Sequence, residues 1–174
     1  MLVLHRGLIP SSKVYKVCLL HKDFETLDFI FNKGIELIKD NPNSLAFVTK
    51  YSDKETIYKF LRNVVSYEED NGYRLLSCFN KEDELVGASL VSWGSPWYAP
   101  TGVLVINEEC TVAFKRGVGL ARALAYVLEK VAKDEGFKLV MFSNANLPNK
   151  KMLENTFEKH LGYSSYKTFY KEIE

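Results

Sequence analysis

The chain has 174 residues, the length of one domain, and a chain this long buries roughly 70% of its unfolded surface without a disulfide or metal staple. Hydrophobic residues at 47% and charged residues at 26% exclude disordered and collagen-like classes. Lys+Arg of 23 against Asp+Glu of 22 leaves a formal charge of +1, so no global field attracts nucleic acid or an anionic membrane, although a local basic patch stays open.

The segment Met1–Pro10 starts apolar but is broken by His5 and Arg6, and is too short for a signal peptide. No run approaches the ~18 apolar residues of a membrane span. Lys13–Leu20 (KVYKVCLL) is β-rich and predicts a first strand. Asp23 is placed to cap a helix along which Phe24, Leu27, Phe31, Ile35 and Ile38 recur at near-helical spacing, ended by Asn41-Pro42-Asn43. Ser52-Asp53-Lys54-Glu55 has the form of a capping box, and Ile57, Phe60, Leu61, Val64 and Val65 trace the apolar face of a second helix, closed by Glu68–Gly72.

Tyr73–Phe79 and Leu85–Trp93 read as two strands joined by the charged turn Asn80–Glu84, which makes a hairpin. Gly94–Gly102 (GSPWYAPTG) is a loop, and with Trp93 it is aromatic-rich: the lining of an acceptor pocket, a cover for the core edge and a subunit contact all remain open. Val103–Phe114 is a long strand whose polar interruption, Asn107-Glu108-Glu109, suggests a bulge. Leu120, Ala123, Leu124, Val127, Leu128 and Val131 give the strongest helical pattern, with Gly136 at its C′ position. Phe137–Phe142 is a short, buried strand; Pro148 opens a last helix running through His160 to Gly162; Tyr163–Ile173 is terminal strand. A strand, a helix and a strand in succession after residue 103 require part of the sheet to be parallel. With no linker or repeat, residues 1–174 are taken as a single domain, a mixed α/β fold.

Thr111–Leu124 (TVAFKRGVGLARAL) carries the chemistry. A strand runs into Arg116-Gly117-Val118-Gly119 and a helix starts at once. First-turn amides lack intrahelical partners, the helix dipole adds positive charge, and glycine lets a ligand approach the backbone, so the turn suits a phosphate or diphosphate. Lys115 and Arg116 add charge. It is neither a Walker loop nor a dinucleotide fingerprint, because no Gly-Lys-Ser/Thr follows and Arg122 stands where a third glycine belongs. A strand–helix turn without a ligand explains the glycines equally well.

Arg116-Gly117-Val118-Gly119-Leu120-Ala121 fits the R/Q-x-x-G-x-G/A signature at every position, and in it the chain resembles the GCN5-related N-acetyltransferases (GNAT). Ser143-Asn144-Ala145-Asn146, Asn149-Lys150-Lys151-Met152-Leu153 and His160-Leu161-Gly162-Tyr163 look like that superfamily's closing segment. The motifs cover residues 73–173, and the first 70 residues match by element order alone. The resemblance implies a three-layer fold, a central mixed, twisted sheet with helices on both faces. It also implies acetyl-coenzyme A or another acyl-coenzyme A as co-substrate and an amine, of a small molecule or a protein, as acceptor.

By position, the resemblance places the diphosphate on the amides of Arg116, Gly117, Val118, Gly119, Leu120 and Ala121. It places the pantetheine arm along Val112, Ala113 and Phe114, and Asn149 beside the arm or, equally, at a helix N-cap. A carboxylate is expected to accept the amine proton: Glu109, with Glu108 as the other candidate, against a reading of both as solvated carboxylates at a polar bulge. The family's tyrosine near the last helix is replaced by Glu158, which weakens a tyrosine-assisted mechanism. Cys110 reads as a buried small hydrophobe rather than a nucleophile. Cys18, Cys78 and Cys110 form no disulfide or zinc pattern and fit a reducing cytoplasm; scattered His5, His21 and His160 suggest no metal site. The expected state is a cytoplasmic monomer or homodimer without membrane or nucleic-acid partners. The rival reading is a non-catalytic module that keeps the fold, with a retained or vestigial coenzyme A pocket, for a protein or nucleic-acid contact.

Overall fold

The computed structural model describes residues 1–39, 53–66, 72–94, 104–142 and 155–164. Two compact units emerge, Met1–Ser143 and Asn144–Glu174.

In the first unit six strands form one sheet in the order of the sequence: β1 (Leu2–Arg6), β2 (Lys16–Leu19), β3 (Tyr73–Phe79), β4 (Leu85–Gly94), β5 (Val105–Ala113) and β6 (Leu139–Phe142). Neighbours are antiparallel as far as β5, and β5 and β6 are parallel, as the strand–helix–strand order requires. Three helices flank the sheet: α1 (Phe24–Lys39), α2 (Lys54–Ser66) and α3 (Leu120–Glu135).

The helices divide between the two faces because successive strand residues point opposite ways. Leu27 and Ile30 of α1 and Val64 and Val65 of α2 pack with Leu75 and Ala88. Leu124, Val127, Leu128 and Val131 of α3 pack with Leu76, Cys78, Val91 and Ile106 on the opposite face. This is the expected helix–sheet–helix layering, with an apolar core on each side.

Local chemistry sets the ends. Asp23 caps α1, accepting from the Thr26 amide at 3.0 Å and its hydroxyl at 2.9 Å. Ser52 of the expected capping box lies outside the described residues; Asp53 accepts from the Thr56 amide at 2.8 Å, and Glu55 pairs with Lys59 one turn on. Those hydrogen bonds hold the Asp53 carboxyl below its ordinary range. Gly136 closes α3 in the left-handed conformation, φ 79°, donating to the Ala132 carbonyl.

Three further expectations change. β1 was not expected; it is an outer strand whose exposed Leu2 and Val3 alternate poorly with its polar residues. β2 starts at Lys16, because residues 7–15 form a loop held by tertiary contacts. β6 is half-buried rather than buried, with Leu139 exposed. The ends of the first two helices at Asn41–Asn43 and Glu68–Asp70, Asn71 included, and most of the aromatic loop lie outside the described residues. In the second unit, Asn155–His160 is a π-helical turn, in which the Leu161 amide donates to the Thr156 carbonyl at 3.1 Å, and Gly162 follows at φ 74°. Phe157 meets Tyr163 edge to face. The proposed helix start at Pro148 and residues 165–173 of the terminal strand lie outside the described residues, and 163–164 are not in a strand.

Candidate active site

Two features of β5 define the site. The first is a bulge. Leu90 opposes Cys110 while Val91 opposes Glu108, so Glu109 is the extra residue on β5. The polar interruption in the sequence is therefore a bulge, and it separates the two carboxylates. Glu108 is buried on the α3 face. Thr111 Oγ1 lies 2.7 Å from its Oε1 and 2.9 Å from Ser89 Oγ; a hydroxyl has one proton, so Thr111 donates to the carboxylate and accepts from Ser89. Glu109 is exposed, and its Oε1 accepts from Ser92 Oγ at 2.5 Å and Asn107 Nδ2 at 2.9 Å.

The second feature is the stretch of β5 beyond its described pairing with β6. That pairing runs to Glu108 opposite Phe142, the last described residue of that segment, and β5 continues to Ala113. Glu109 is the first residue past the last described pair. Val112 and Ala113 follow it on the same strand. The Phe114 amide is already committed, donating to the Val86 carbonyl at 2.9 Å, and only its carbonyl remains for a ligand.

Beyond Phe114 the chain turns into α3. Gly117 and Gly119 sit at φ 69° and 70°, the left-handed region glycine tolerates, and Gly119 is the N-cap residue with no side-chain cap. Their amides have no hydrogen-bond partner among the described residues. A Cβ at Gly117 would meet nothing within 4 Å, so that side of the turn is open. The Val118 and Leu120 side chains belong to the core and leave only their backbone to a ligand. Ala121 is half-buried in the first turn of α3.

Arg116 is exposed and has no ion-pair partner among the described residues, whereas Lys115 is neutralised by Glu84 at 2.5 Å. That pair, with Asn80, holds the Glu84 carboxyl below its ordinary range. A cleft of about 490 Å³ behind the turn is lined by Arg116, Lys13, Lys81 and Tyr15 among others.

The space beside Gly119 is not free. A Cβ there would lie 2.7 Å from the Ser11 carbonyl oxygen and 3.0 Å from Ser12 Cα. Glycine at 119 therefore serves the approach of the chain's own loop, while glycine at 117 borders open space. Sequence reasoning missed this loop, and it missed the hydroxyl and amide partners of the two carboxylates. Pro10-Ser11-Ser12 signals a turn, but nothing local names its target over a hundred residues away.

Asn149, Trp97 and Tyr98 lie outside the described residues. Trp93 is part of β4, packs against Phe137 at 5.9 Å and lies under the Arg74 guanidinium at 5.3 Å. Glu158 is exposed in the π-helical turn. No group of three or more His, Cys, Asp or Glu capable of holding a metal ion occurs among the described residues, and none of their helices is long and apolar enough to cross a membrane.

The cysteines are poor nucleophiles. Burial pushes the Cys110 thiol up to about 12, with the Glu108 charge adding to it, and burial, with Cys18 adding to it, takes Cys78 to about 12. Cys18 is also raised by burial. A pKa raised by folding favours the folded state below the unfolded value near 9.0, and that contribution fades as pH rises toward about 12. Urea midpoints should therefore fall steadily between pH 9 and 11, and Cys78→Ala with Cys110→Ala should flatten the fall; an equal slope in the double variant would contradict it.

The fold, a mixed sheet with helices on both faces, is shared with solved acetyltransferases, a GNAT family member among them. A ribosomal-protein-alanine N-acetyltransferase from Brucella melitensis biovar Abortus 2308 is similar at TM-score 0.58 and 18% identity, over 90% of this chain and 97% of that one. An aminoglycoside acetyltransferase from an uncultured soil metagenomic sample is similar at TM-score 0.62 and 14% identity, over 91% and 97%. A GNAT family acetyltransferase from Staphylococcus aureus is similar at TM-score 0.55 and 16% identity, over 90% and 96%. No family model matches the sequence, and no curated protein matches it.

Proposed function

We propose that this chain is an acyl-coenzyme A-dependent N-acyltransferase that transfers an acetyl group to an amine by direct attack. The carrying observation is the left-handed glycine turn at the N-terminus of α3, whose Gly117 and Gly119 amides have no partner among the described residues. Acetyltransferase names among proteins of the same fold support the reading.

The residues fit such a co-substrate. The amides from Arg116 to Ala121 would hold the diphosphate, helped by the helix dipole and Arg116. Val112, Ala113 and the Phe114 carbonyl would pair with the peptide-like arm. Bound acetyl-coenzyme A supplies an activated thioester. An ammonium has no lone pair, so the acceptor must lose a proton, and exposed Glu109 at the β5 bulge would be the carboxylate that takes it. Ser92 and Asn107 orient that carboxylate. Glu108, buried and bound by Thr111, would add negative charge behind the strand. A cytoplasmic location, a single functional domain over residues 1–174, and a monomer or homodimer go with this reading.

The non-catalytic alternative draws on exposed Glu158 where the family carries a tyrosine. Acetyl-coenzyme A at a hundredfold excess over its dissociation constant should raise the melting temperature by on the order of 5 °C, and thiol release with an amine panel should follow. A shift without thiol release would favour the binding module; no shift at millimolar ligand would end both readings of the pocket.

A further inference from the structure

We infer that Ser12 is a positioning residue for the amide cradle: its hydroxyl fixes the Val118–Gly119 peptide, and with it the Gly119 N–H that meets the coenzyme's diphosphate. The inference rests on the acyltransferase reading above. The Val118 carbonyl accepts two hydrogen bonds from a segment 106 residues earlier, from Ser12 Oγ at 2.9 Å and from the Lys13 amide at 2.8 Å. Ser12 Oγ in turn accepts from the Val14 amide at 3.0 Å, so its single proton is committed to Val118.

A third contact closes the clamp. Ser11 is held at φ 56°, a conformation serine rarely adopts, and its carbonyl packs where a side chain at Gly119 would be. Strain of this kind persists only where the surroundings over-determine it. A peptide group is planar, so a carbonyl pinned from one edge sets the direction of the N–H at the other. A carbonyl that accepts hydrogen bonds also polarises its own amide and strengthens that amide as a donor. The Gly119 amide has no partner among the described residues and is left for a ligand. Holding it in place before binding removes an ordering penalty from the coenzyme's affinity.

Calorimetric titration of the full chain with coenzyme A, alongside ¹H–¹⁵N spectra, tests the clamp. Ser12→Ala should weaken binding about tenfold, the scale of one hydrogen bond. It should also shrink the shift of the Gly119 amide resonance on coenzyme addition, and leave kcat at saturating acetyl-coenzyme A unchanged. Ser12→Thr, which keeps the hydroxyl, should restore the wild-type values. If Ser12→Ala does not fold, Ser12→Cys, a weaker donor, gives the same comparison. A purely structural role would lower the melting temperature with affinity and the Gly119 shift unchanged, and that outcome overturns the inference alone. Wild-type protein that does not bind coenzyme A overturns the acyltransferase reading and the inference with it.

Discussion

Gly119→Ala should lower the melting temperature by on the order of 10 °C, while Gly117→Ala should lower it by much less. Both residues sit in the left-handed region, which penalises a non-glycine residue by roughly 1–2 kcal/mol. Only at 119 does a Cβ also meet backbone, the Ser11 carbonyl oxygen at 2.7 Å. Backbone cannot swing aside as the end of a side chain can, so the loop or α3 must move, adding roughly 1–3 kcal/mol. For a chain of this length each kcal/mol is about 2–4 °C. Circular-dichroism melts of the two variants decide it. Equal losses would mean that the N-terminal loop does not press on the signature turn in solution.

What the sequence made readable was what is local. The β3–β4 hairpin came out within one residue of its observed limits, Gly94 extending the second strand, because Asn80–Glu84 is a turn by composition and each flanking strand buries its own apolar residues. The helix after Gly119 came out because six apolar residues repeat on one face and both end glycines are where left-handed backbone is needed. The bulge was visible as three polar residues in an apolar strand.

The contents of the bulge were not visible. Which of Glu108 and Glu109 is buried and which is exposed depends on which residue is unpaired, and that is fixed by register against β4, not by the run itself. β1 was unreadable for a different reason: His5 and Arg6 interrupt its pattern because an outer strand has little burial to enforce alternation. The Ser12 clamp is non-local entirely, a hydroxyl in a short loop whose partner lies beyond β2, α1, α2, β3, β4 and β5 in the chain.

Glu109→Gln should lower kcat about a hundredfold with an active amine while leaving coenzyme A affinity within a factor of two, the general range for loss of a positioned base. The amide keeps the shape, and its oxygen can still accept from Ser92 and Asn107, so the bulge should hold. It cannot take up a proton. The acidic limb of the wild-type pH–rate profile, where the carboxylate becomes protonated, should therefore disappear in the variant. Glu108→Gln provides the contrast. Its oxygen can still accept from Thr111, but the buried charge is gone, so fold stability and the Cys110 environment should respond more than the pH profile. Should Glu108→Gln erase the acidic limb and Glu109→Gln retain it, the roles of the two carboxylates would be reversed, and the proton would leave on the α3 side of the sheet rather than at the exposed bulge.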